Sequence, residues 1–407
     1  MSVTRNVNRL RPCLSLLVVA VCAGAATTEA LAQTTDGSRS RRQPPPFDTW
    51  DKDDDGFLTR AELPARFSKA LFDRIDANKD GKLSRAEDDA YRKRNRTGRN
   101  RPQAGRNGNR RGAQLPKGTQ VERDVVYETV SARDLPLDLY RPVSDKPTPL
   151  VIWIHGGGWR GGSKSGFGPA GGLLGRGYAV ASVEYRLSGE AIFPAAIADC
   201  KAAVSFLRLN AGKYNLDPDN FGVWGSSAGG HLVALLGTTN DIKDFDTHPV
   251  TKKASSAVQA VCDWFGPTDF LQMDAHAVPG SRLIHNQGNS PESLFVGGPI
   301  QEEPFRGVVV RANPITHVSA GDPPMLLVHG DNDVLVTHHQ SELLHAALTK
   351  AKVSSTLRIV QGAGHGLRGG DLSGEELFEM AARFFDEHLR QEEGRGKSDS
   401  KGRPSKR

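Results

Sequence analysis

Residues 220–239 read NFGVWGSSAGGHLVALLGTT, and this stretch decides the fold of the chain. Its apolar start, 221–224, predicts a buried strand, and the pattern over 230–236 predicts a helix. Between them lies a G-x-S-x-G motif, which in this setting forms a sharp turn from strand to helix. Such a turn lifts the hydroxyl of Ser227 clear of the sheet, where the free N–H groups of the new helix also point. The stretch therefore predicts that Ser227 is a nucleophile, with Ser226 as the neighbouring alternative.

A glycine run after another predicted strand supplies a second part of the same chemistry. It reads HGGGW over residues 155–159. Acyl transfer builds negative charge on a carbonyl oxygen, and glycine N–H groups can approach that oxygen because no side chain intervenes. The predicted oxyanion-hole residues are Gly156, Gly157, Gly158 and Ala228. Gly157 is the favoured glycine donor, with one of its two glycine neighbours as partner.

An acid and a base follow two later predicted strands. Asp333 comes after the strand at 325–329, and His365 lies in a glycine-rich loop after the strand at 356–360. Asp331 is the competing acid, which we interpret as a turn residue. The chain order serine, aspartate, histidine is the order of the α/β-hydrolase triad and differs from that of the two familiar serine protease folds. The predicted catalytic residues are thus Ser227, Asp333 and His365.

Other histidines near these motifs have structural interpretations. We expect His155 to brace the glycine run and His231 to lie on the helix after the nucleophile. His338 and His339 follow the acid loop, and we interpret both as surface residues.

Predicted strands and helices alternate from residue 119 onwards. The strands are predicted at 121–130, 135–140, 150–155, 178–185, 221–224, 257–264, 325–329 and 356–360. The helices are predicted at 193–210, 230–236, 343–350 and 375–389. This alternation predicts an α/β fold class, with a mainly parallel sheet and helices on both of its faces. The first two strands are predicted to form a hairpin.

Residues 119–390 resemble the esterase/lipase group of α/β-hydrolases, which includes hormone-sensitive-lipase-like and acetyl or feruloyl esterase-like enzymes. The resemblance rests on HGGGW and G-x-S-x-G, and on VEYRL at 183–187, FPAAIAD at 193–199 and DWFGPTD at 263–269. It implies a serine carboxylesterase that hydrolyses short acyl esters with no organic cofactor for catalysis. It also implies that residues 266–312 cover the pocket. Phe270, Met273, Phe295 and Phe305 in that segment are either pocket walls or core.

Two stretches nearer the start match each other. Residues 51–62 read DKDDDGFLTRAE and residues 76–87 read DANKDGKLSRAE, so both fit D-x-[DN]-x-[DN]-G-x5-E. Calcium takes oxygens from positions 1, 3, 5, 7, 9 and 12 of such a loop. The predicted calcium ligands are Asp51, Asp53, Asp55, Phe57, Thr59, Glu62, Asp76, Asn78, Asp80, Lys82, Ser84 and Glu87. Residues 47–91 resemble an EF-hand pair, in which Leu58 and Leu83 are expected to pair the loops.

The loops depart from a full EF-hand pair in two ways. Prolines at 44–46 leave little entering helix, and Pro64 interrupts the short segment between the loops. These departures favour a structural calcium site over a switch.

The first residues predict export. Residues 1–32 combine early arginines, an apolar run over 14–26 and Ala-Leu-Ala at 30–32, as in a signal peptide cleaved near Ala32. The mature protein would then be periplasmic or extracellular. No apolar run after it reaches the roughly 18 residues of a membrane span. Cys200 and Cys262 remain after cleavage, and the sequence leaves open whether they pair.

The chain's positive charge is concentrated between the two folded parts. Residues 92–118 hold ten basic residues and no acidic one, so removing those ten from the formal net charge of +6 leaves −4. We predict a basic disordered linker that acts as a solvated spacer kept open by like charge, with contact to anionic surfaces as the alternative and no nucleic-acid partner. Residues 33–46 and 391–407 are also predicted to be disordered.

Two other functions stay open at this point. The first alternative is an amide hydrolase, because formamidase-like enzymes use a related histidine-glycine-tryptophan loop. The expected substrates are otherwise small-molecule or polysaccharide-linked esters. A calcium-dependent wall or matrix binding module is the non-enzymatic alternative.

Overall fold

The computed structural model describes residues 51, 53, 55–63, 72, 75–87, 115–240, 242–281 and 283–390. The chain divides into two units, 1–107 and 108–407. The predicted signal peptide, the predicted disordered segments at 33–46 and 391–407, and most of the predicted linker lie outside the described residues. Within the described residues, no helix combines the length and the apolar character needed to cross a membrane.

The first unit contains the paired loops. Strands β1 (Phe57–Leu58) and β2 (Leu83–Ser84) are antiparallel, and Leu58 lies opposite Leu83, as predicted. Both leucines are buried in a small core, whose other described members are Leu63, Phe72 and Ile75. A sheet of two residues per strand is stable only with such packing, because an isolated short ribbon is marginal in water.

The second unit is built on an eight-stranded sheet. Its strands are β3 (Gln120–Val130), β4 (Arg133–Arg141), β5 (Thr148–Ile154), β6 (Ala179–Val183), β7 (Leu216–Ser226), β8 (Ala260–Trp264), β9 (Met325–Gly330) and β10 (Ser355–Val360). Their spatial order is β10-β9-β8-β7-β5-β6-β4-β3. The β3–β4 hairpin is antiparallel and the remaining six strands run parallel to one another. This is the α/β-hydrolase fold, as predicted.

Helices connect the parallel strands. They are α1 (Ala195–Leu209), α2 (Ala228–Thr238), α3 (Pro291–Val296), α4 (Phe305–Ala312), α5 (His339–Lys350) and α6 (Gly374–Leu389). A 3-10 helix, Gly168–Arg176, links β5 to β6. The sequence did not predict this 3-10 helix, nor α3 and α4, which lie in the predicted pocket cover.

The sheet has an apolar core on each face. Along β5 the side chains alternate, so that Leu150 and Ile152 join one core while Val151 and Trp153 join the other. The two cysteines also divide between these cores, and both are buried free thiols. Burial raises the pKa of each thiol well above its ordinary value.

Candidate active site

Ser227 occupies the turn between β7 and α2. Its backbone has φ 56° and ψ −124°, a conformation that non-glycine residues adopt rarely and that is concentrated at functional sites. The turn is close-packed: a Cβ at Gly225 would clash with the carbonyl oxygen of Gly229, and one at Gly229 would clash with that of Ile154. The two motif glycines therefore allow the strand and the helix to approach, as the sequence predicted.

His365 lies between the serine and the acid. Its Nε2 is 3.1 Å from Ser227 Oγ, and its Nδ1 is 2.7 Å from Oδ2 of Asp333. An ionised carboxylate only accepts hydrogen bonds, so Nδ1 carries the proton and the lone pair of Nε2 faces the serine hydroxyl. The ring of Phe265 packs edge-on against the imidazole, with centroids 4.8 Å apart. This arrangement allows His365 to take a proton from Ser227.

Asp333 is buried and fully engaged. Its Oδ1 accepts the backbone N–H groups of Leu335 and Val336 at 2.8 and 3.0 Å, and Nε2 of His329 lies 3.4 Å from its Oδ2. Burial alone would raise the pKa of this carboxyl. Hydrogen bonds from His329 and His365 outweigh burial, so the pKa of Asp333 lies well below its ordinary value. The carboxylate is therefore charged at neutral pH and can stabilise a protonated His365.

The loops that carry the acid and the base are joined by backbone contacts. Asp331 accepts the N–H of Gly362 at 2.6 Å, and the N–H of Asn332 donates to the carbonyl oxygen of Ala363 at 3.0 Å. Any side chain at Gly330 would clash with that same carbonyl oxygen. Asp331 thus braces the histidine loop, whereas Asp333 alone of the two contacts the imidazole.

The glycine run lies directly beside the nucleophile. A Cβ added to Gly156 would be 3.3 Å from Cβ of Ser227. Gly157 has φ 119° and Gly158 has φ 60°, so the run bends through conformations that favour glycine. Ala228 is the first residue of α2, so its N–H has no partner within the helix. The glycine run therefore passes directly beside Ser227, and the N–H of Ala228 adjoins it along the chain.

His155 and Trp159 anchor the two ends of the run. Nδ1 of His155 donates to the carbonyl oxygen of Gly156 at 2.9 Å, and the His155 ring stacks on Tyr185. Trp159 is buried, and its indole N–H donates to Nδ1 of His231 at 3.3 Å. The bracing predicted for His155 is confirmed, while the bond to His231 was not foreseen.

His231 is a neutral structural histidine. Its Nε2 donates to the carbonyl oxygen of Ala312 at 2.8 Å, which leaves Nδ1 to accept from Trp159. Burial lowers the pKa of His231 to about 4. The residue thereby links the glycine run to the end of α4.

The aromatic residues of the cover segment are core. Trp159 stacks on Phe295 with centroids 4.7 Å apart and meets Phe270 at 5.4 Å. Phe270, Phe295 and Met273 are all buried in the main core cluster, and Phe305 packs against it. Of the two interpretations, the core is therefore correct for Phe270, Met273 and Phe295, whereas Phe305 is only partly buried.

Paired carboxylates in the first unit fit a cation. Asp51 and Asp76 each use Oδ2 to accept the N–H of the loop glycine, Gly56 or Gly81, at 3.0 Å. The remaining Oδ1 of each is buried without a hydrogen-bond partner, which is unfavourable unless a ligand takes that place.

Two further carboxylates of the first loop lie close to Asp51. In the first loop, ligand oxygens of Asp51, Asp53 and Asp55 lie within 4.8 Å of one another. In the second, both oxygens of Glu87 accept N–H groups of its own loop, from Ala77, Asn78 and Ser84. If Glu87 bound a cation through both oxygens, the cation would replace these N–H groups as its partners. An all-oxygen donor set of this kind suits calcium.

The sheet, the serine turn and the histidine–aspartate pair together define an α/β-hydrolase. A sequence model of the BD-FAE family matches residues 137–348, just over half of the chain, and an EF-hand model matches residues 69–87. The chain belongs to the BD-FAE family of α/β-hydrolase esterases, with an EF-hand segment near its start. The EF-hand match spans the second loop, and the first loop lies outside it.

Similar proteins are esterases. Esterase LipC of Mycobacterium tuberculosis is 29% identical over 249 residues, which are 60% of this chain and 59% of that protein. The chain thus spans less than two thirds of this curated relative. A truncated carbohydrate esterase from gut microbiota is similar in structure, with 33% identity, a TM-score of 0.58, and coverage of 66% of this chain and 95% of that one. A propionate-bound esterase of Thermogutta terrifontis is 26% identical with a TM-score of 0.53, covering 69% and 97%.

Proposed function

We propose that the protein is an exported serine carboxylesterase that removes short acyl groups, of the acetyl or feruloyl type, from carbohydrate-linked or small alcohols. The observation that carries the proposal is the position of His365, hydrogen-bonded to both Ser227 and Asp333. A binding protein has no need for a serine, a neutral imidazole acceptor and a charged acid in line. That alignment is the requirement of nucleophilic acyl transfer.

Acylation follows from the hydrogen bonds. Ser227 Oγ attacks the ester carbonyl while Nε2 of His365 takes its proton, and Asp333 stabilises the resulting imidazolium. The N–H groups of the glycine run and of Ala228 receive the negative oxygen of the tetrahedral intermediate. The intermediate collapses as His365 returns the proton to the departing alcohol. The acyl group remains on Ser227.

Deacylation repeats the same steps with water. His365 removes a proton from the water molecule that attacks the acyl-enzyme, and a second tetrahedral intermediate forms on the same oxyanion donors. Its collapse returns the proton to Ser227 and releases the carboxylic acid. Nothing in this cycle uses the calcium loops.

The substrate class rests on the similar proteins. A carbohydrate esterase aligns along almost all of its own length, and the Thermogutta enzyme holds propionate, a three-carbon acid. The similarity to the propionate-bound enzyme favours a short acyl chain, and the similarity to the carbohydrate esterase favours a carbohydrate alcohol. Export, which residues 1–32 predict, would bring the enzyme to polysaccharide outside the cell.

The EF-hand pair would hold calcium as a structural element. The orphaned Asp51 and Asp76 oxygens and the two carboxylates close to Asp51 support this assignment. Calcium, when bound, neutralises clustered carboxylates and joins the loops into a stable fold.

A substrate panel tests the function. Rates would be measured on p-nitrophenyl esters of two to twelve carbons, on acetylated xylan, on a feruloyl ester and on a formyl anilide. The expected result is the highest kcat/KM at two to four carbons, with acetate or ferulate released from the carbohydrate ester and no rate on the anilide. A preference for long chains or for the anilide would contradict the proposed substrate class.

A further inference from the structure

Three histidines and a glutamate that are not part of the triad meet at the start of α5. Ligand atoms of His338, His339 and Glu342 all lie within 4.8 Å of one another. His276, which comes from the cover segment, stacks its ring on that of His339 with centroids 5.0 Å apart and planes 16° apart. The rings of His338 and His339 are themselves 4.3 Å apart. The sequence interpretation placed His338 and His339 on the surface; both keep partial exposure, but their contacts in this cluster were not predicted.

Several ring nitrogens in the cluster lack protein partners. Nδ1 of His276 and Nδ1 of His338 are both buried from solvent without a hydrogen bond in the described part of the chain. An unpaired buried polar atom is costly, so such atoms indicate a missing ligand. His339 is different: Thr337 Oγ1 lies 2.9 Å from its Nδ1, which fixes the ring and leaves Nε2 available. Metal-binding histidines are commonly oriented by such a second contact.

We propose that this cluster is a site for a borderline divalent transition metal, with Zn²⁺ as the reference ion. His338, His339 and Glu342 supply the ligands, and the ring of His276 stacks on His339 beside them. Two imidazoles and a carboxylate suit zinc, whereas calcium requires six to eight hard oxygens. The site is therefore chemically distinct from the EF-hand loops.

The geometry needs only a small adjustment to close. His338 and Glu342 are four residues apart at the helix start, with His338 Nε2 already 3.7 Å from Glu342 Oε1. Zinc bonds of about 2.0–2.1 Å place tetrahedral ligand atoms about 3.3 Å apart. The cluster would therefore contract by about 1–1.5 Å at its widest, which rotation of the half-exposed Glu342 side chain can provide.

The metal would join two segments near the triad. His276 belongs to the cover segment, where Asp274 accepts the N–H of His285 at 2.8 Å. His285 in turn contacts the carbonyl oxygen of Leu335, in the loop that carries the catalytic acid. A metal that fixes His339 would strengthen the stacking of His276 on that ring, which is a second contact between the cover and the start of α5. We expect it to stabilise the second unit against unfolding.

Zinc titration of the full mature chain, with its purification tag removed and calcium in excess, tests the proposal. Calorimetry gives affinity and stoichiometry, and metal analysis after dialysis checks retention. His339→Ala and Glu342→Gln are expected to weaken one zinc site at least about tenfold. His345→Ala is the matched control, since His345 lies on the same helix and bonds Ser355 instead. It is expected to bind zinc as the wild type does.

Thermal unfolding of the second unit provides an independent readout. Zinc should raise the melting temperature of the wild type and of His345→Ala but not of Glu342→Gln, whose exposed conservative substitution keeps the fold. Esterase activity of each variant without zinc verifies that it is folded. Equal zinc affinity and stoichiometry in the wild type and in the His338→Ala/His339→Ala double variant would overturn the proposal.

Discussion

The calcium loops and the catalytic triad differ in how the chain assembles them. Each loop gathers its predicted ligands within twelve consecutive residues, so spacing alone defines it. The triad instead collects Ser227, Asp333 and His365 from the ends of β7, β9 and β10. Parallel strands bring their carboxyl ends to one edge of the sheet, which is why residues more than a hundred positions apart meet there.

The two sites also differ in what completes them. In the triad every functional polar atom has a partner within the protein, from Ser227 Oγ through His365 to the buried Asp333. In the loops, Asp51 and Asp76 each keep a buried oxygen without one. The comparison teaches that the first site is preorganised by the fold alone, whereas the second leaves buried oxygens that a cation would satisfy. Removing a partner should therefore damage the triad, and removing the cation should damage only the loops.

Loss of the nucleophile is the largest expected effect. Ser227→Ala should lower kcat on p-nitrophenyl acetate by a factor on the order of 10⁶, because the remaining groups have no atom to acylate. Circular dichroism should match the wild type, since a smaller side chain fits the same turn. Ser226→Ala is the matched control, and a comparable loss there would move the nucleophile to Ser226.

Loss of the acid should cost less. Asp333→Asn should lower kcat by roughly 10⁴, because the amide favours the wrong tautomer of His365. Asp331→Asn removes only a brace to Gly362 and should lower kcat far less. If the two variants showed the reverse order in steady-state kinetics, Asp331 would be the acid.

His231 provides an electrostatic test in the core of the second unit. Its folded pKa of about 4 lies below the ordinary 6.5, so the unfolded state binds more protons between these values and stability rises with pH across that window. Burial raises the pKa of Asp263 to about 7, which gives the opposite slope and partly masks the effect in the wild type.

A variant separates the two contributions. His231→Gln removes the titration of the histidine and leaves Asp263 in place. The substitution lowers the free energy of unfolding relative to the wild type. Measured by urea unfolding, this loss should be about 2–3 kcal/mol smaller at pH 4.5 than at pH 7.5. A pH-independent difference would show that folding does not lower the pKa of His231.

Calcium removal should have the smallest effect on catalysis. Chelator should leave kcat on a small soluble ester unchanged within about twofold, because the triad is complete within the described residues of the second unit. Calcium should raise the thermal stability of residues 47–91. The comparison uses the mature chain and residues 119–407, each with calcium and with chelator. Inactivation of the mature chain alone would make calcium a regulator.

The sequence predicted the triad because each member belongs to a short motif at a strand end. Other features depend on tertiary contacts and were not predictable. Strand β7 begins at Leu216, before the expected 221, because Leu216 pairs with Thr148 of β5, while residues 217–220 form an irregularity before the pairing resumes at Phe221. His329 reaches Asp333 only after the acid loop folds back, although its place four residues earlier was a usable signal. The sequence predicted Gly157 only as an oxyanion donor. Its φ of 119° is a second reason for glycine at this position, because residues with a side chain rarely adopt that conformation.

The most direct test of the central claim is to locate the acylated residue. The wild type would be treated with a fluorophosphonate, digested, and mapped by mass spectrometry, with Ser227→Ala treated in parallel. We predict a single adduct on the peptide that contains residues 220–239. Fragmentation of this peptide should place the adduct on Ser227, and the variant should carry none. An adduct on another residue, or an active wild type that takes up no probe, would contradict the assignment of a serine esterase mechanism to this site.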